Sequence, residues 1–368
     1  MKRLFSLLLT LTLLFTISSC SRPQPSSSSS PAPTTAKVDE NSNLIVHFID
    51  VGQGDCTLLE SEGEFVLIDA GEKEYGDKVL SYIGSRGAKE LKYVIATHPH
   101  ADHVGGLRTV LGGIDTENFI TVETDCATYT WTKVLTVVDK QDINYIDAEV
   151  GDTYTFGSAR FTIMAPLSDY YDGYNNYSVV TKVECGNIRF ILAGDAEKES
   201  EYEMISAGEN LSADVLKCGH HGSSTSTTAK FLKAVNPAYA IISCGENNDY
   251  GHPHKETMKK LNTLGCEIFR TDTDGTIVAT TDGKELTLSA GDTTLSSYTN
   301  STSQEITSQK QETPLTATDD YIGNKNSHVF HLSDCSAFKT MSEKNKVSFE
   351  TREDAVDAGY TPCSNCNP

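Results

Sequence analysis

His98-Pro99-His100-Ala101-Asp102-His103 reads as H-x-H-x-D-H and directly follows an apolar run, Tyr93-Val94-Ile95-Ala96. A strand that ends in this cluster carries three imidazoles and a carboxylate on one short loop. Imidazole nitrogen and carboxylate oxygen are the usual ligands of zinc and similar divalent ions. A chain this short cannot wrap all four ligands around one tetrahedral ion. The spacing divides them instead, His98 and His100 for one metal, Asp102 and His103 for a second. The bland alternative for so short a motif is a histidine-rich surface loop.

Other segments follow the same rule. Asp69 closes the strand-like run Glu64-Phe65-Val66-Leu67-Ile68, and Asp195 closes Arg189-Phe190-Ile191-Leu192-Ala193-Gly194. His220 and His221 follow Asp214-Val215-Leu216-Lys217-Cys218-Gly219. Carboxylates and imidazoles thus recur at the C-terminal ends of apolar strands, where open α/β sheets keep their sites. A carboxylate at such an end can bridge two cations. This order of motifs resembles the metallo-β-lactamase fold, a family of two-metal hydrolases, from Leu44 to Ser289.

A narrower likeness rests on Asp50-Val51-Gly52-Gln53-Gly54-Asp55, Asn175-Asn176-Tyr177-Ser178-Val179-Val180, Leu192-Ala193-Gly194-Asp195, Gly219-His220-His221-Gly222-Ser223 and Tyr250-Gly251-His252-Pro253-His254. These look like the hydrolase domain of the ComEC competence-protein family, where the domain is attached to a membrane channel for DNA uptake. Only the hydrolase part is matched, so transport is not carried over.

Periodicity gives strands at Leu44–Ile49, Cys56–Glu60, Glu64–Ile68, Tyr93–Thr97, Phe161–Met164, Val179–Val183, Arg189–Leu192, Asp214–Lys217 and Tyr239–Ser243. Helices are expected at Lys78–Arg86, His103–Leu111, Trp131–Lys140, Lys198–Ser206, Thr227–Val235 and Lys255–Leu264. The resemblance, rather than periodicity, selects an αββα sandwich over a doubly wound parallel sheet.

The 368 residues exceed one usual hydrophobic core. Residues 1–20 read as a lipoprotein signal peptide: Lys2-Arg3, an apolar Leu4 to Ile17 too short to span a bilayer, then Ile17-Ser18-Ser19-Cys20. That ending resembles a bacterial lipobox, with Cys20 as the lipid-bearing residue. A plain secretory signal is the alternative. The reading implies an exported protein lipid-anchored at the bacterial cell surface. Residues 21–42 form a Ser/Pro-rich linker, 43–290 the hydrolase domain, and 291–318 a low-complexity linker rich in Ser, Thr and Gln.

Residues 319–368 form a small tail domain. His331-x3-Cys335 and Cys363-x2-Cys366 have the spacing of a structural zinc site. A unit this small can hardly fold on core burial alone, which makes one bound zinc its natural organiser. The pattern resembles the metal-binding domain of the Ada DNA-repair protein, with His331 where that family has its first, methyl-accepting cysteine. The swap keeps zinc binding and removes methyl transfer. A disulfide among Cys335, Cys363 and Cys366 is the competitor in an exported protein. Of the ten cysteines, Cys56, Cys126, Cys185, Cys218, Cys244 and Cys266 read as small buried hydrophobes.

Carried over residue by residue, the resemblance implies that His98 and His100 hold the first metal and Asp102 and His103 the second. Asp195 bridges them, and His220 or His221 joins the second. Asp69 orients a ligand loop. Members of the wider fold often place one more histidine between His103 and Asp195, where this chain has none. Asn175, Asn176 and Ser178 stand at that place, so the first metal is expected to be weakly held or completed by an amide oxygen or water, and an amide oxygen tilts the choice of Zn or Mn towards Mn. His252 and His254 are candidates for substrate contact or leaving-group protonation. Gln53 and Asp55 are expected to line the cleft, with turn-capping the alternative for Asp55.

A pair of cations lowers the pKa of a shared water, and a bridging hydroxide then attacks phosphorus or carbonyl carbon. The ComEC likeness implies a phosphodiesterase or nuclease acting on extracellular DNA, with no nucleotide cofactor. A net charge of −21 opposes broad attraction to nucleic acid. Hence a hydrolase of another envelope or small-molecule phosphoester is the runner-up, and a non-catalytic envelope binding protein comes third.

Overall fold

The computed structural model describes residues 43–290, 293–299, 321–332, 335, 341–349, 352–357, 359–363 and 366. The signal segment, Cys20, the first linker up to residue 42 and most of the second linker lie outside the described residues.

The chain opens with β1 (Leu44–Phe48), β2 (Thr57–Ser61), β3 (Glu64–Ile68), β4 (Glu90–Ile95), β5 (Asp115–Thr121) and β6 (Asn144–Asp147). Next come β7 (Thr153–Phe156), β8 (Ala159–Ala165), β9 (Val180–Cys185), β10 (Ile188–Leu192), β11 (Val215–Lys217), β12 (Tyr239–Ile242) and β13 (Glu267–Arg270). These seven form one sheet, ordered β13-β12-β11-β10-β9-β8-β7. Then β14 (Ile277–Thr281), β15 (Glu285–Ala290) and β16 (Thr293–Thr299) return to the first strands, giving a nine-stranded sheet ordered β16-β15-β14-β1-β2-β3-β4-β5-β6.

The helices are α1 (Gly76–Ser85), α2 (Ala101–Val104), α3 (Leu107–Gly113), α4 (Tyr129–Lys140), α5 (Lys198–Ala207), α6 (Ala229–Val235) and α7 (Lys255–Leu264). Alternation within the strands decides the layering. Leu44, Val46 and Phe48 of β1 join Phe161, Phe190 and Ile241 in the core between the sheets. On the outer face of the nine-stranded sheet, Val79 and Ile83 of α1 and Trp131, Val134 and Val138 of α4 pack against Leu58, Leu67 and Phe119. The other sheet is covered through Met204, Phe231, Leu232 and Leu261 of α5, α6 and α7. Each such side chain contributes about 1.5–3 kcal/mol by leaving water. The result is the αββα sandwich, as the family resemblance implied.

Helix starts are chemically marked. Thr128 accepts from the Trp131 N–H at 3.3 Å ahead of α4, and Thr228 accepts from the Phe231 N–H at 3.2 Å ahead of α6.

The structure corrects two expectations. Instead of one helix from His103 to Leu111 there are two, separated by Gly105 and Gly106. The loop after β3 crosses there so closely that a Cβ on Gly106 would sit 2.3 Å from the Ala70 carbonyl oxygen. Second, Thr293–Thr299, read as the start of the second linker, pairs antiparallel with β15. Thr and Ser look like linker composition, but a neighbouring strand with open hydrogen bonds recruits them.

In the tail, β17 (Tyr321–Asn324), β18 (Val329–Leu332), β19 (Lys346–Phe349) and β20 (Thr361–Pro362) form a sheet ordered β19-β17-β18-β20. A helix spans Arg352–Asp357. Among the described residues of the tail, Phe330 and Ala355 are fully buried.

Candidate metal centre

Parallel pairing aligns the ends that carry chemistry. β3 pairs with β4, and β11 pairs with both β10 and β12, all parallel. Their C-terminal ends deliver Asp69, Thr97-His98, Asp195, His220-His221 and Ser243. The motif loop continues into α2, which carries Asp102 and His103.

Two ligand groups result, and Asp195 belongs to both. In the first, ligand atoms of His98, His100 and Asp195 all lie within 4.8 Å of one another; in the second, those of Asp55, His103, Asp195 and His221 do. The two carboxylate oxygens of Asp195 divide between them. Oδ1 lies 3.2 Å from His103 Nε2 and 3.5 Å from His221 Nε2. Oδ2 lies 3.8 Å from His98 Nε2 and 3.9 Å from His220 Nε2. Asp102 Oδ2 joins the second group, 3.1 Å from His221 Nε2 and 3.8 Å from His103 Nε2.

The imidazoles are held so that their lone pairs face inward. His103 donates from Nδ1 to Asp69 at 2.7 Å, while Thr97 fixes the same carboxylate through its N–H (2.9 Å) and hydroxyl (2.6 Å). His221 donates from Nδ1 to the Ser243 carbonyl at 3.0 Å. Beside His98 Nδ1 stand the hydroxyls of Thr97 (3.2 Å) and Ser178 (3.3 Å). Ser178 also accepts the Asp195 N–H at 2.9 Å, tying the bridge residue to the same point.

The donor set fits divalent cations. His103 Nε2, Asp195 Oδ1 and Asp55 Oδ1 are buried with no hydrogen-bond partner. His98 Nε2 and His100 Nδ1 face each other at 2.9 Å, a contact that two lone pairs tolerate only around a proton or a cation. Burial would pull His103 down, yet Asp195, Asp69 and Asp102 hold it well above the ordinary imidazole value. Burial would likewise raise Asp195, and His103 and His221 hold it well below the usual carboxylate range. His98, enclosed and beside His103, is pushed well down.

The remaining sequence candidates sort by their contacts. Gln53 accepts the Gly245 N–H at 3.1 Å and fastens the first loop to the loop after β12. Asp55 is buried in the second group rather than capping a turn. Asn176 uses its amide oxygen on the N–H groups of Glu197 (2.9 Å) and Ser200 (3.4 Å). Asn175 donates to Glu197 at 3.2 Å, and its own amide oxygen is buried and unpartnered. His252 packs against the His220 and His221 rings, 5.4 and 6.0 Å between centroids. His254 is used at both nitrogens, accepting the Ser224 N–H (2.9 Å) and donating to the Tyr250 carbonyl (3.1 Å), so it braces its loop.

Two neighbours escaped the sequence reading. Lys217, the last residue of β11, is buried and ion-paired with Asp55. Its signal was a lysine closing an otherwise apolar strand. Glu197 accepts from His220 Nδ1 at 3.0 Å and from Thr225 Oγ1 at 2.7 Å; nothing in its local sequence marked it.

In the tail, His331, Cys335, Cys363 and Cys366 bring four ligand atoms within 4.8 Å of one another, with His331 Nδ1 3.5 Å from Cys335 Sγ. Among the described residues no disulfide forms. Of the six other cysteines all but the half-buried Cys126 are buried.

Comparison with known proteins agrees with this geometry. Residues 49–246 match the metallo-beta-lactamase superfamily, and residues 311–368 match the metal binding domain of Ada. ComE operon protein 3 of Bacillus subtilis is 33% identical over 250 residues, 63% of this chain and 32% of that protein. Recombination protein 2 of Haemophilus influenzae is 30% identical over 237 residues, 63% of this chain and 28% of that protein. Competence protein ComA of Neisseria gonorrhoeae is 27% identical over 236 residues, 62% of this chain and 31% of that protein. The chain therefore spans about a third of the length of the curated relatives it matches.

Proposed function

The chain belongs to the metallo-β-lactamase superfamily, and on that footing we propose that it is a metal-dependent phosphodiesterase that cuts extracellular DNA. The observation that carries this reading is Asp195, which turns one carboxylate oxygen towards each imidazole group. Support for DNA comes from two relatives whose names place them in recombination and competence. The N-terminal Lys2-Arg3, apolar run and Cys20 support export and a lipid anchor on the outer side of the membrane.

In this reading His98, His100 and Asp195 would hold one cation, and Asp102, His103, His221 and Asp195 a second. Zinc and manganese are the candidates. Bound there, such cations acidify water and neutralise charge on a phosphoryl oxygen. The chain does the rest. Asp69, Thr97 and the Ser243 carbonyl fix which imidazole nitrogen carries the proton, so that the opposite nitrogen faces the reacting centre. His252, packed on the His220 and His221 rings, would contact the substrate. Gln53 and His254 brace loops that pack beside the imidazole groups.

One observation favours a smaller phosphoester as the second reading. The net charge is −21, and the partly exposed carboxylate of Glu197 lies beside the site. Long polyanions are repelled by such a surface. The experiment incubates purified protein and Mn²⁺ or Zn²⁺ with single-stranded DNA, double-stranded DNA and a chromogenic phosphodiester. Cleavage of DNA that chelation stops is the expected result. Turnover of the chromogenic compound with both DNAs intact would favour the second reading, and no turnover of any would overturn both. Cys20→Ala tests the anchor, since that variant should leave the membrane fraction.

A further inference from the structure

We propose that His220 completes the first cation site, taking the place of the histidine that is missing between His103 and Asp195. The inference rests on the two-cation reading of the centre and goes beyond it by assigning adjacent histidines to different ions.

Adjacent residues normally point apart, and here the backbone makes that separation productive. His220 (φ 48°) and His221 (φ 54°) are both left-handed, a conformation that non-glycine residues adopt rarely and that carries strain. The loop is fixed while it does so. The His220 N–H donates to the Gly194 carbonyl at 3.1 Å, and the Ser223 N–H donates to the His220 carbonyl at 2.8 Å. The first bond ties the loop to the turn that carries Asp195, and the second closes the loop on itself.

The side chains then divide as the oxygens of Asp195 do. His221 Nε2 faces Oδ1, on the side of His103 and Asp102. His220 Nε2 faces Oδ2, the oxygen that His98 also faces, at 3.9 and 3.8 Å. A cation held by His98, His100 and Oδ2 would meet His220 Nε2 across the same carboxylate oxygen, 3.9 Å from it.

Glu197 makes this arrangement specific. It accepts from His220 Nδ1 at 3.0 Å, which places the proton on Nδ1 and leaves the lone pair on Nε2, directed at Asp195. This is the carboxylate–imidazole relay that metal-ligating histidines use. Asp69 does the same for His103. Asn176 steadies Glu197 by accepting its N–H, and Asn175 donates to its carboxylate. The Asn-Asn element thus acts through Glu197 and His220. Glu197 is a positioning residue, and the unpartnered amide oxygen of Asn175 is the rival ligand.

The test is a Mn²⁺ titration of the full chain by calorimetry, with electron paramagnetic resonance of the loaded protein. Manganese suits it because the thiolates of the tail prefer zinc. Wild type should take up two ions and give a spin-coupled signal. His220→Asn keeps a residue that tolerates the left-handed backbone. It should bind one ion as before and the other at least about 100-fold more weakly, with the signal of an isolated ion. Glu197→Ala should weaken the same ion about 10-fold, as loss of an orienting carboxylate does, and it keeps the proposal testable should His220→Asn not fold. Two ions bound at wild-type affinity by both variants would overturn the proposal. So would loss of the first ion in Asn175→Ala but not in His220→Asn, or a wild type that binds a single ion. No substrate is involved, so two-ion binding lost in His220→Asn supports the assignment even in a protein that cleaves no phosphodiester.

Discussion

His103 and Asp69 form a buried pair, Nδ1 to Oδ2 at 2.7 Å, across the end of the parallel strands β3 and β4. The pair decides which side of the imidazole is left to face Asp195. Asp69→Asn keeps the shape but turns an amide N–H or a weaker acceptor towards His103 and Thr97. The affinity of the second ion should fall about 10–100-fold. Manganese titration reads the change, and unaltered affinity would mean that Asp69 serves only the fold.

Asp195→Asn should abolish hydrolysis while the far-ultraviolet circular dichroism stays that of the wild type. A neutral amide cannot face two cations with negative oxygens, whereas the backbone N–H bond to Ser178 survives the change. Turnover at the wild-type rate would sink the shared-carboxylate reading.

The ion pair of Lys217 and Asp55 is fully enclosed. Burial would lower Lys217, but Asp55 and Asp195 outweigh it and raise its pKa. Lys217→Met leaves the Asp55 carboxylate in the protein interior without its partner, and losing one member of a buried pair costs about 3–5 kcal/mol. Urea unfolding in chelator should show a loss of that size. Added Mn²⁺ should restore part of it by supplying positive charge next to Asp55. A change below about 1 kcal/mol would show that Asp55 is neutral in the unloaded protein.

Far more of the site than of the sheets was legible in the sequence. The H-x-H-x-D-H loop, Asp69 and Asp195 each follow an apolar run, so residue type and position announce them together. Strand β5, Asp115-Thr116-Glu117-Asn118-Phe119-Ile120-Thr121, has no such mark, because only its last three residues are buried. Thr293–Thr299 reads as linker until β15 lies beside it. The separate placement of His220 and His221 depends on two left-handed backbone angles that residue type does not encode. Glu197 is 23 residues from the histidine it holds, a pairing created only by the strand order.

His47 gives the fold a pH dependence remote from the metal centre. Burial, with the Arg86 guanidinium adding to it, pushes its imidazole from 6.5 down to about 4. In the unfolded chain it titrates near the ordinary value. As the pH falls through about 6.5 the unfolded chain takes up a proton that the folded chain refuses, so stability drops until about pH 4 and then levels. The contribution is at most about 3 kcal/mol. His47→Leu should flatten this part of the profile in urea unfolding at pH 7.5 and pH 5. An unchanged slope would assign the effect to other groups.

The tail offers the sharpest separation between two chemistries. Its four ligand residues converge, and among the described residues Phe330 and Ala355 are the fully buried apolar groups that hold a sheet of two- to four-residue strands. A zinc bound by three thiolates and one imidazole supplies folding free energy on the order of 10 kcal/mol or more, which so small a core cannot. Residues 319–368 expressed alone should therefore take up one zinc, unfold in chelator and refold when zinc returns, as nuclear magnetic resonance would show. His331→Cys should keep the zinc, since Cys₄ sites are equally closed. With His331 in place, methylated DNA should leave no methyl group on any cysteine, because the first position of the Ada pattern holds no thiolate. A tail that survives chelator but collapses in reductant would instead show that disulfides hold it. The convergence of His331 with all three cysteines argues against that outcome, because a disulfide would join only two of the thiols and leave the imidazole without a role.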